Sequence, residues 1–259
     1  MKRGLLFVAG VTDGNGGASL KVAIDRLAAQ CLPGVEVRWA ALHSPVHAAP
    51  RARGSRPLLL PRALKRMESE GFTRVVVQPL FVVDGSEFKR LRAIVERHRL
   101  SADRISRLSV GAPLLDSATD AERVARALLA GVAPTRKRGE ALIAIGHGSA
   151  TPAAGLAYLA AAWMLGSIDR LAFLGCVNSK PDLADVLRQC KAARVKRAIL
   201  IPFTTATGST LREALAPSGP KSWIAALAAE GIAAIARQQG LGENELVAEI
   251  WLHHAEMAL

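Results

Sequence analysis

The sequence predicts an α/β fold built from two similar βα domains with a cleft between them, and three observations carry that prediction. Short β-branched apolar runs alternate along the chain with segments of helical periodicity. The stretch Val75-Val-Val-Gln-Pro-Leu-Phe-Val-Val-Asp-Gly-Ser86 has a counterpart in Ala198-Ile-Leu-Ile-Pro-Phe-Thr-Thr-Ala-Thr-Gly-Ser209, so strand, proline, five residues and Gly-Ser recur in one order. Between the halves, Ala133-Pro-Thr-Arg-Lys-Arg-Gly139 breaks the pattern and reads as the boundary, giving domains 1–135 and 136–259.

Gly4–Ala9 reads as the first strand, Asp13–Gly17 as a turn and Ser19–Cys31 as a helix with apolar positions at Leu20, Ala23, Ile24 and Leu27. Pro33-Gly34 stops it, and Val35–Leu42 alternates as a short strand. The Pro- and Arg-rich segment from His43 to Pro61 reads as a loop that covers something. A helix over Pro61–Glu70 ends at Gly71, and Arg74–Val83 is a buried strand. A helix starts after Asp84-Gly-Ser-Glu87 and runs to about His98, followed by a strand over Ile105–Gly111 and an alanine-rich helix over Ala118–Leu129. In the second half, Glu140–Ile145 with Gly146-His147 mirrors Leu5–Ala9 with Gly10-Val11. On that reading Val11 is the counterpart of His147.

Composition narrows the function. No run reaches the roughly 18 uninterrupted apolar residues of a membrane span, and the opening apolar stretch meets Asp13 too soon for a signal peptide. Three cysteines, Cys31, Cys176 and Cys190, share no C-x-x-C spacing, which fits a reducing, cytoplasmic protein without a thiolate metal centre. The net charge of +12 calls for an anionic partner. One Tyr, four Trp and six Phe leave few platforms for stacking bases, so nucleic acid is not the expected partner. The basic clusters Arg51–Arg56 and Arg136–Arg138 read as solvated loops. Self-assembly into a homo-oligomer is compatible with the sequence.

The candidate chemistry centres on Ala141-Leu-Ile-Ala-Ile-Gly-His-Gly-Ser149. An apolar strand ends there in a turn that holds one imidazole between two glycines, and ligands of open α/β sheets bind beyond the carboxyl ends of the strands. His147 is therefore a candidate ligand and base. A tight turn whose histidine caps a nearby carbonyl is the alternative reading of the same tripeptide.

The frame Gly71-Phe-Thr-Arg-Val-Val-Val-Gln-Pro-Leu80, Asp84-Gly-Ser-Glu-Phe88, Ser109-Val-Gly-Ala-Pro-Leu114, Gly146-His-Gly-Ser149, Lys196-Arg-Ala-Ile-Leu-Ile-Pro202, Ser222-Trp223 and Ile250-Trp-Leu-His-His254 resembles the anaerobic sirohydrochlorin cobaltochelatases over nearly the whole chain. The resemblance implies two Rossmann-like domains that insert Co²⁺, or Fe²⁺, without ATP into an anionic tetrapyrrole held in the central cleft. It also implies a metal site of two histidines and a glutamate. His147 matches the first histidine, Asn178 falls at the glutamate and Thr210 at the second histidine. An amide and a hydroxyl are weak, uncharged donors for a first-row divalent ion, so two of the three implied ligands are replaced by poorer ones.

Further residues carry paired readings. Glu87 faces the cleft by the repeat argument, or complements the macrodipole at a helix start. Cys176 is a soft ligand beside Asn178, or buried packing. His43 and His47 lie in the covering loop as contacts to a bound macrocycle, whereas His253 and His254 follow a helical stretch and sit at its surface. For the carboxylates of a tetrapyrrole, Arg212, Arg90, Arg38 and Lys89 are the expected partners, Arg212 matching an arginine of the family frame. Two functions follow: a cobalt or iron chelatase using His147 as ligand and base, or a chelatase homologue that binds or carries a haem-like tetrapyrrole without inserting metal.

Overall fold

The computed structural model describes residues 2–10, 15–43, 58–101, 103–205, 207–237 and 240–259, with the backbone alone for 15–20. In chain order the elements of the first half are β1 (Lys2–Ala9), α1 (Asn15–Cys31), β2 (Glu36–Ala41), β3 (Leu58–Leu59), α2 (Leu60–Ser69), β4 (Phe72–Pro79), α3 (Ser86–Ser101), β5 (Arg107–Val110) and α4 (Ala118–Val132). Those of the second half are β6 (Ala141–Gly146), α5 (Pro152–Ile168), β7 (Ala172–Cys176), α6 (Leu183–Ala192), β8 (Arg197–Phe203), α7 (Ser209–Ala214), α8 (Trp223–Ala229), β9 (Ala233–Ala236) and α9 (Glu245–Ala258). The strands form two sheets, ordered β3-β2-β1-β4-β5 and β7-β6-β8-β9, and every pairing is parallel. The expected α/β class with its duplicated βα plan is the one observed; β3, at the edge of the first sheet, was not anticipated from its two leucines.

Parallel strands covered by helices on both faces must be apolar throughout, and the central strands obey this: Leu5–Ala9 and Ala141–Gly146 are buried without a break. Around β1 and β4 the core gathers Leu6, Val8, Leu64, Met67, Phe72 and Val77. Around β6 and β8 it gathers Ile143, Ile145, Val186, Leu200, Trp223 and Leu227. Helix starts follow local sequence. The Ser117 hydroxyl accepts from the Asp120 amide at 3.1 Å, Asp182 and Asp185 form a reciprocal capping box, and the Ser222 hydroxyl accepts from the Ala225 amide at 3.0 Å.

The strands fall on either side of residues 133–139, but the compact units divide elsewhere. One comprises Met1–Leu114 with Ala248–Leu259, the other Leu115–Val247. The reason is which apolar stripe each end helix presents and to what. In α4 the buried stripe Ala121, Val124, Ala125, Leu128 and Val132 packs against α5 of the second unit. In α9 the fully buried Trp251 donates its indole N–H to the Phe81 carbonyl of the first unit at 3.3 Å. Arg136, read as part of a solvated loop, is instead a clamp inside the second unit: its side chain is 12% exposed and donates to the carbonyls of Glu140 and Leu171 and to the Asp169 carboxylate.

Register corrects one equivalence. Val8 faces Pro79 in the first sheet and Ile145 faces Pro202 in the second. Overlaying the two prolines therefore sets Ala9 on Gly146 and Gly10 on His147. The counterpart of His147 is Gly10, not Val11, which lies outside the described residues. The two strand-ending glycines, expected to coincide, stand one residue apart. The hydrogen bonds agree: Leu42 N–H donates to Ala9 C=O as Val177 N–H donates to Gly146 C=O, each at 3.0 Å, and Gly111 N–H donates to Val77 C=O as Arg237 N–H does to Leu200 C=O, each at 2.9 Å. Duplication of the sheet plan holds, and the glycine landmark does not.

Candidate functional site

At the carboxyl end of the second sheet, the β6 and β7 turns are laced together. Beyond the last paired strand residues the Val177 amide bonds Gly146 C=O and the Asn178 amide bonds His147 C=O at 3.1 Å. This extension of the ladder brings two residues 31 positions apart side by side, with Asn178 Nδ2 3.5 Å from His147 Nδ1. The same Nδ1 lies 3.4 Å from Gly148 C=O. With Nδ1–H donating to the Gly148 carbonyl, Nε2 of this exposed imidazole carries the lone pair for a metal or a proton.

Gly148 makes the approach possible. Its φ is +81°, and a Cβ there would stand 2.5 Å from Ser179 Oγ and 2.9 Å from the Ser179 backbone nitrogen. In the turn as built, the Ser179 hydroxyl instead accepts from the Ser149 amide at 3.2 Å.

Of the three residues matched to the family's metal ligands, His147 and Asn178 are thus brought together, and Thr210 is half-buried in the first turn of α7, the helix that follows β8. Cys176 lies directly beneath, fully buried, and burial pushes its thiol up to about 12 against a smaller lowering by a hydrogen bond with Ser179. A neutral thiol of that kind is packing, so the reading of Cys176 as a soft ligand is withdrawn. Among the described residues no three His, Cys, Asp or Glu side chains gather into a metal-holding group.

The remaining candidates are dispersed. Arg212 is exposed in α7, and Lys89 and Arg90 are exposed in the first half of α3. Arg38 is committed within its own unit: its guanidinium meets the carboxylates of Glu36 and Glu70, which removes it from the substrate-binding set. His253 and His254 lie within α9, not after it, the first exposed and the second half-buried. His47 lies outside the described residues.

The first sheet holds a contact that sequence reasoning missed. With the prolines overlaid, the turn after β2 places His43 on Asn178, and the Gly-Ser start of α3 places Glu87 on Thr210. His43 Nε2 stands 3.4 Å from Glu87 Oε1. Glu87 is in the first turn of α3, where its charge also complements the helix dipole. The Pro-x5-Gly-Ser repeat, continued by one residue, was the signal that pairs Glu87 with Thr210. Nothing local to His43 announces its partner.

The sequence profile of the cobalt chelatase (CbiK) family matches residues 10–259. Among curated proteins, the chain is 33% identical over 258 residues to the sirohydrochlorin cobaltochelatase CbiKC of Nitratidesulfovibrio vulgaris, covering 100% of this chain and 91% of that one. It is 28% identical over 198 residues to the sirohydrochlorin cobaltochelatase of Salmonella typhimurium, covering 76% and 73%. Among solved structures, the sirohydrochlorin chelatase SirB of Bacillus subtilis subspecies spizizenii in complex with cobalt aligns with a TM-score of 0.70 at 16% identity, over 99% of this chain and 94% of that one. CbiX, the terminal enzyme of sirohaem biosynthesis in denitrifying bacteria, aligns with a TM-score of 0.63 at 21% identity, over 99% and 100%. Both structural likenesses are of fold.

Proposed function

Because the chain belongs to the cobalt chelatase family, matched from residue 10 to its last residue, we propose that it inserts Co²⁺ into sirohydrochlorin or a closely related anionic tetrapyrrole. Metal and macrocycle are both substrates. The observation that carries the reading at the residue level is the exposed imidazole of His147, held at a strand end with Nε2 turned away from its two protein contacts. An imidazole so placed suits two tasks of the reaction. It presents a neutral nitrogen donor to a borderline divalent ion, and it accepts a proton as a pyrrole nitrogen exchanges hydrogen for metal. Nδ1–H donating to the Gly148 carbonyl leaves the lone pair on Nε2, with Asn178 alongside the ring, and Thr210 supplies a weak oxygen donor. Arg212, Arg90 and Lys89 answer the carboxylates of the macrocycle with charge-assisted hydrogen bonds.

A second reading is favoured by the donor set. With Asn178 and Thr210 where the family frame has a glutamate and a histidine, the chain is a homologue that binds or carries a tetrapyrrole and inserts metal slowly or not at all. Initial rates of Co²⁺ insertion into sirohydrochlorin decide between the two, measured for the wild type, His147→Ala, and Asn178→Glu combined with Thr210→His. The chelatase reading expects wild-type insertion that His147→Ala lowers by at least about a hundredfold, the order by which loss of a general base slows proton transfer. Insertion seen only in the double replacement would refute it and establish the carrier.

A further inference from the structure

Helix α5 carries no charged residue in its 17 positions, in a chain of which charged residues make up 22%. A helix that is apolar all round belongs in an interior. One side of α5 meets that expectation: Ala154, Tyr158, Ala161 and Leu165, spaced four, three and four apart, are buried, and α4 and β7 pack on the helix. The other side repeats the spacing in the open. Pro152, Leu156, Leu159, Trp163 and Gly166 stand four, three, four and three apart, and all are exposed, Leu156 by 66%, Leu159 by 45% and Trp163 by 70%.

That spacing points to the kind of partner. An apolar seam repeating every 3.5 residues is the pattern of a helix packed along a second helix. Beside the seam stand Ala153, Ala160 and Ser167, seven apart and exposed, small enough to let another backbone approach to the roughly 8–10 Å of packed helices. A charged partner finds no counter-charge on α5, and a helix lying on a bilayer carries basic flanks that α5 lacks. A second copy of α5 needs neither. Copies that each carry +12 repel across most of their surface, and a charge-free face is where two of them meet at least electrostatic cost. A helix of 17 residues is about 25 Å long, so pairing two such faces removes on the order of 500 Å² per copy from water, about 1,000 Å² in all, which reaches the lower bound for a specific interface.

We infer that the exposed seam of α5 is a self-association surface, on which α5 of a second copy lies antiparallel about a twofold axis near Leu159 and Ala160. Antiparallel pairing sets Trp163 of each copy over Leu156 of the other and opposes the two helix dipoles, whereas parallel pairing stacks the two tryptophans on each other and aligns the dipoles. The contact is independent of the chemistry at His147, so it stands whether the chain inserts metal or carries a tetrapyrrole.

The test is sedimentation velocity of the full chain from low micromolar to several hundred micromolar, for the wild type, Leu156→Glu, Trp163→Lys, an equal mixture of those two variants, and the control Leu100→Glu at an exposed leucine of α3. Circular dichroism and thermal midpoints verify that each variant is folded. The wild type and the control are expected to dimerise as concentration rises, and each α5 variant to weaken the dimer at least about tenfold, as loss of a central apolar or aromatic anchor does. Mixing the two variants should restore it, because the new carboxylate of one then faces the new ammonium of the other while Trp163 of the first still covers Leu156 of the second. A wild type that stays monomeric throughout overturns the inference, as does a dimer that both variants keep. Single variants that dissociate without recovery in the mixture refute the antiparallel pairing. A monomeric wild type that sediments with phosphatidylcholine vesicles, and loses them in Leu156→Glu, would assign the seam to a bilayer instead.

Discussion

Gly148→Ala tests the lacing of the two turns that presents His147. The substitution places a methyl group on a backbone whose φ is +81°, a region in which an L side chain costs roughly 1–2 kcal/mol. The new Cβ stands 2.5 Å from Ser179 Oγ, 2.9 Å from the Ser179 nitrogen and 3.1 Å from Cys176 Cβ. The hydroxyl can rotate aside, but only by giving up the bond it accepts from the Ser149 amide, and the nitrogen and the buried Cβ move only with the backbone. Overpacking of this kind costs about 1–3 kcal/mol, so the two effects together should destabilise the second unit by about 2–5 kcal/mol. For a chain of this size that lowers the thermal midpoint by roughly 5–15 °C.

Gly155→Ala, in the same unit, is the matched control. It lies inside α5 with nothing within 4 Å of the added Cβ, so it should stabilise by about 0.5–1 kcal/mol through helix propensity alone. Thermal unfolding followed by circular dichroism at 222 nm compares the three proteins. A Gly148→Ala midpoint within about 2 °C of the wild type would falsify the strain and contact argument, and with it the account of how His147 and Asn178 are brought together.

Replacing Arg136 by Met leaves the Asp169 carboxylate and two carbonyls without their shared donor and should cost about 2–3 kcal/mol in urea unfolding at neutral pH. Burial pushes the Asp169 carboxyl up, but hydrogen bonds from Arg136 and the Leu171 amide, with the charges of Arg136 and Arg170, outweigh it and hold the group below its ordinary value. A carboxyl depressed in the folded state contributes stability above its unfolded pKa of about 3.9, which is lost as pH falls through the folded value. The wild type should therefore lose more stability than Arg136→Met on acidification below about pH 4, and parallel losses in the two proteins would show that the pair does not set the shift. In thiol titration with a disulfide reagent near pH 8, the exposed Cys31 should react in the native protein, while Cys176 and Cys190, buried with thiols pushed up to about 12 and about 11, should wait for denaturant; rapid native labelling of all three refutes their burial. Tetrapyrrole binding followed at the Soret band should weaken at least about threefold as ionic strength rises from low to several times physiological, because exposed Arg and Lys pairs with carboxylates are screened over about 8 Å at physiological ionic strength. Salt-independent affinity would remove Arg212, Arg90 and Lys89 from the binding account.

The sequence by itself determined the α/β class, the strands and helices of the first half apart from β3, the central strands β6 and β8 of the second, and the duplicated plan. Those are written in local periodicity, in stop residues and in the apolar continuity that a strand buried on both faces requires. It also determined that His147 sits at a strand end, because a β-branched run that breaks at glycine ends there whatever its neighbours are. Which strand residues face one another was left to the tertiary structure. Both halves carry a glycine after the first strand, but the sheets are registered by packing across strands, and the glycines are offset by one. That one residue decides whether His147 is matched by Val11 or by Gly10.

The exchange of end helices between the compact units was equally beyond local reading. The stripe on α4 and Trp251 on α9 announce burial and say nothing about which sheet they are buried on. The contact between His43 and Glu87 joins residues 44 apart through two adjacent turns, and Asn178 reaches His147 in the same way. A residue's type states what chemistry it can do. The register of parallel strands, fixed by the whole sheet at once, states which other residue it does it with.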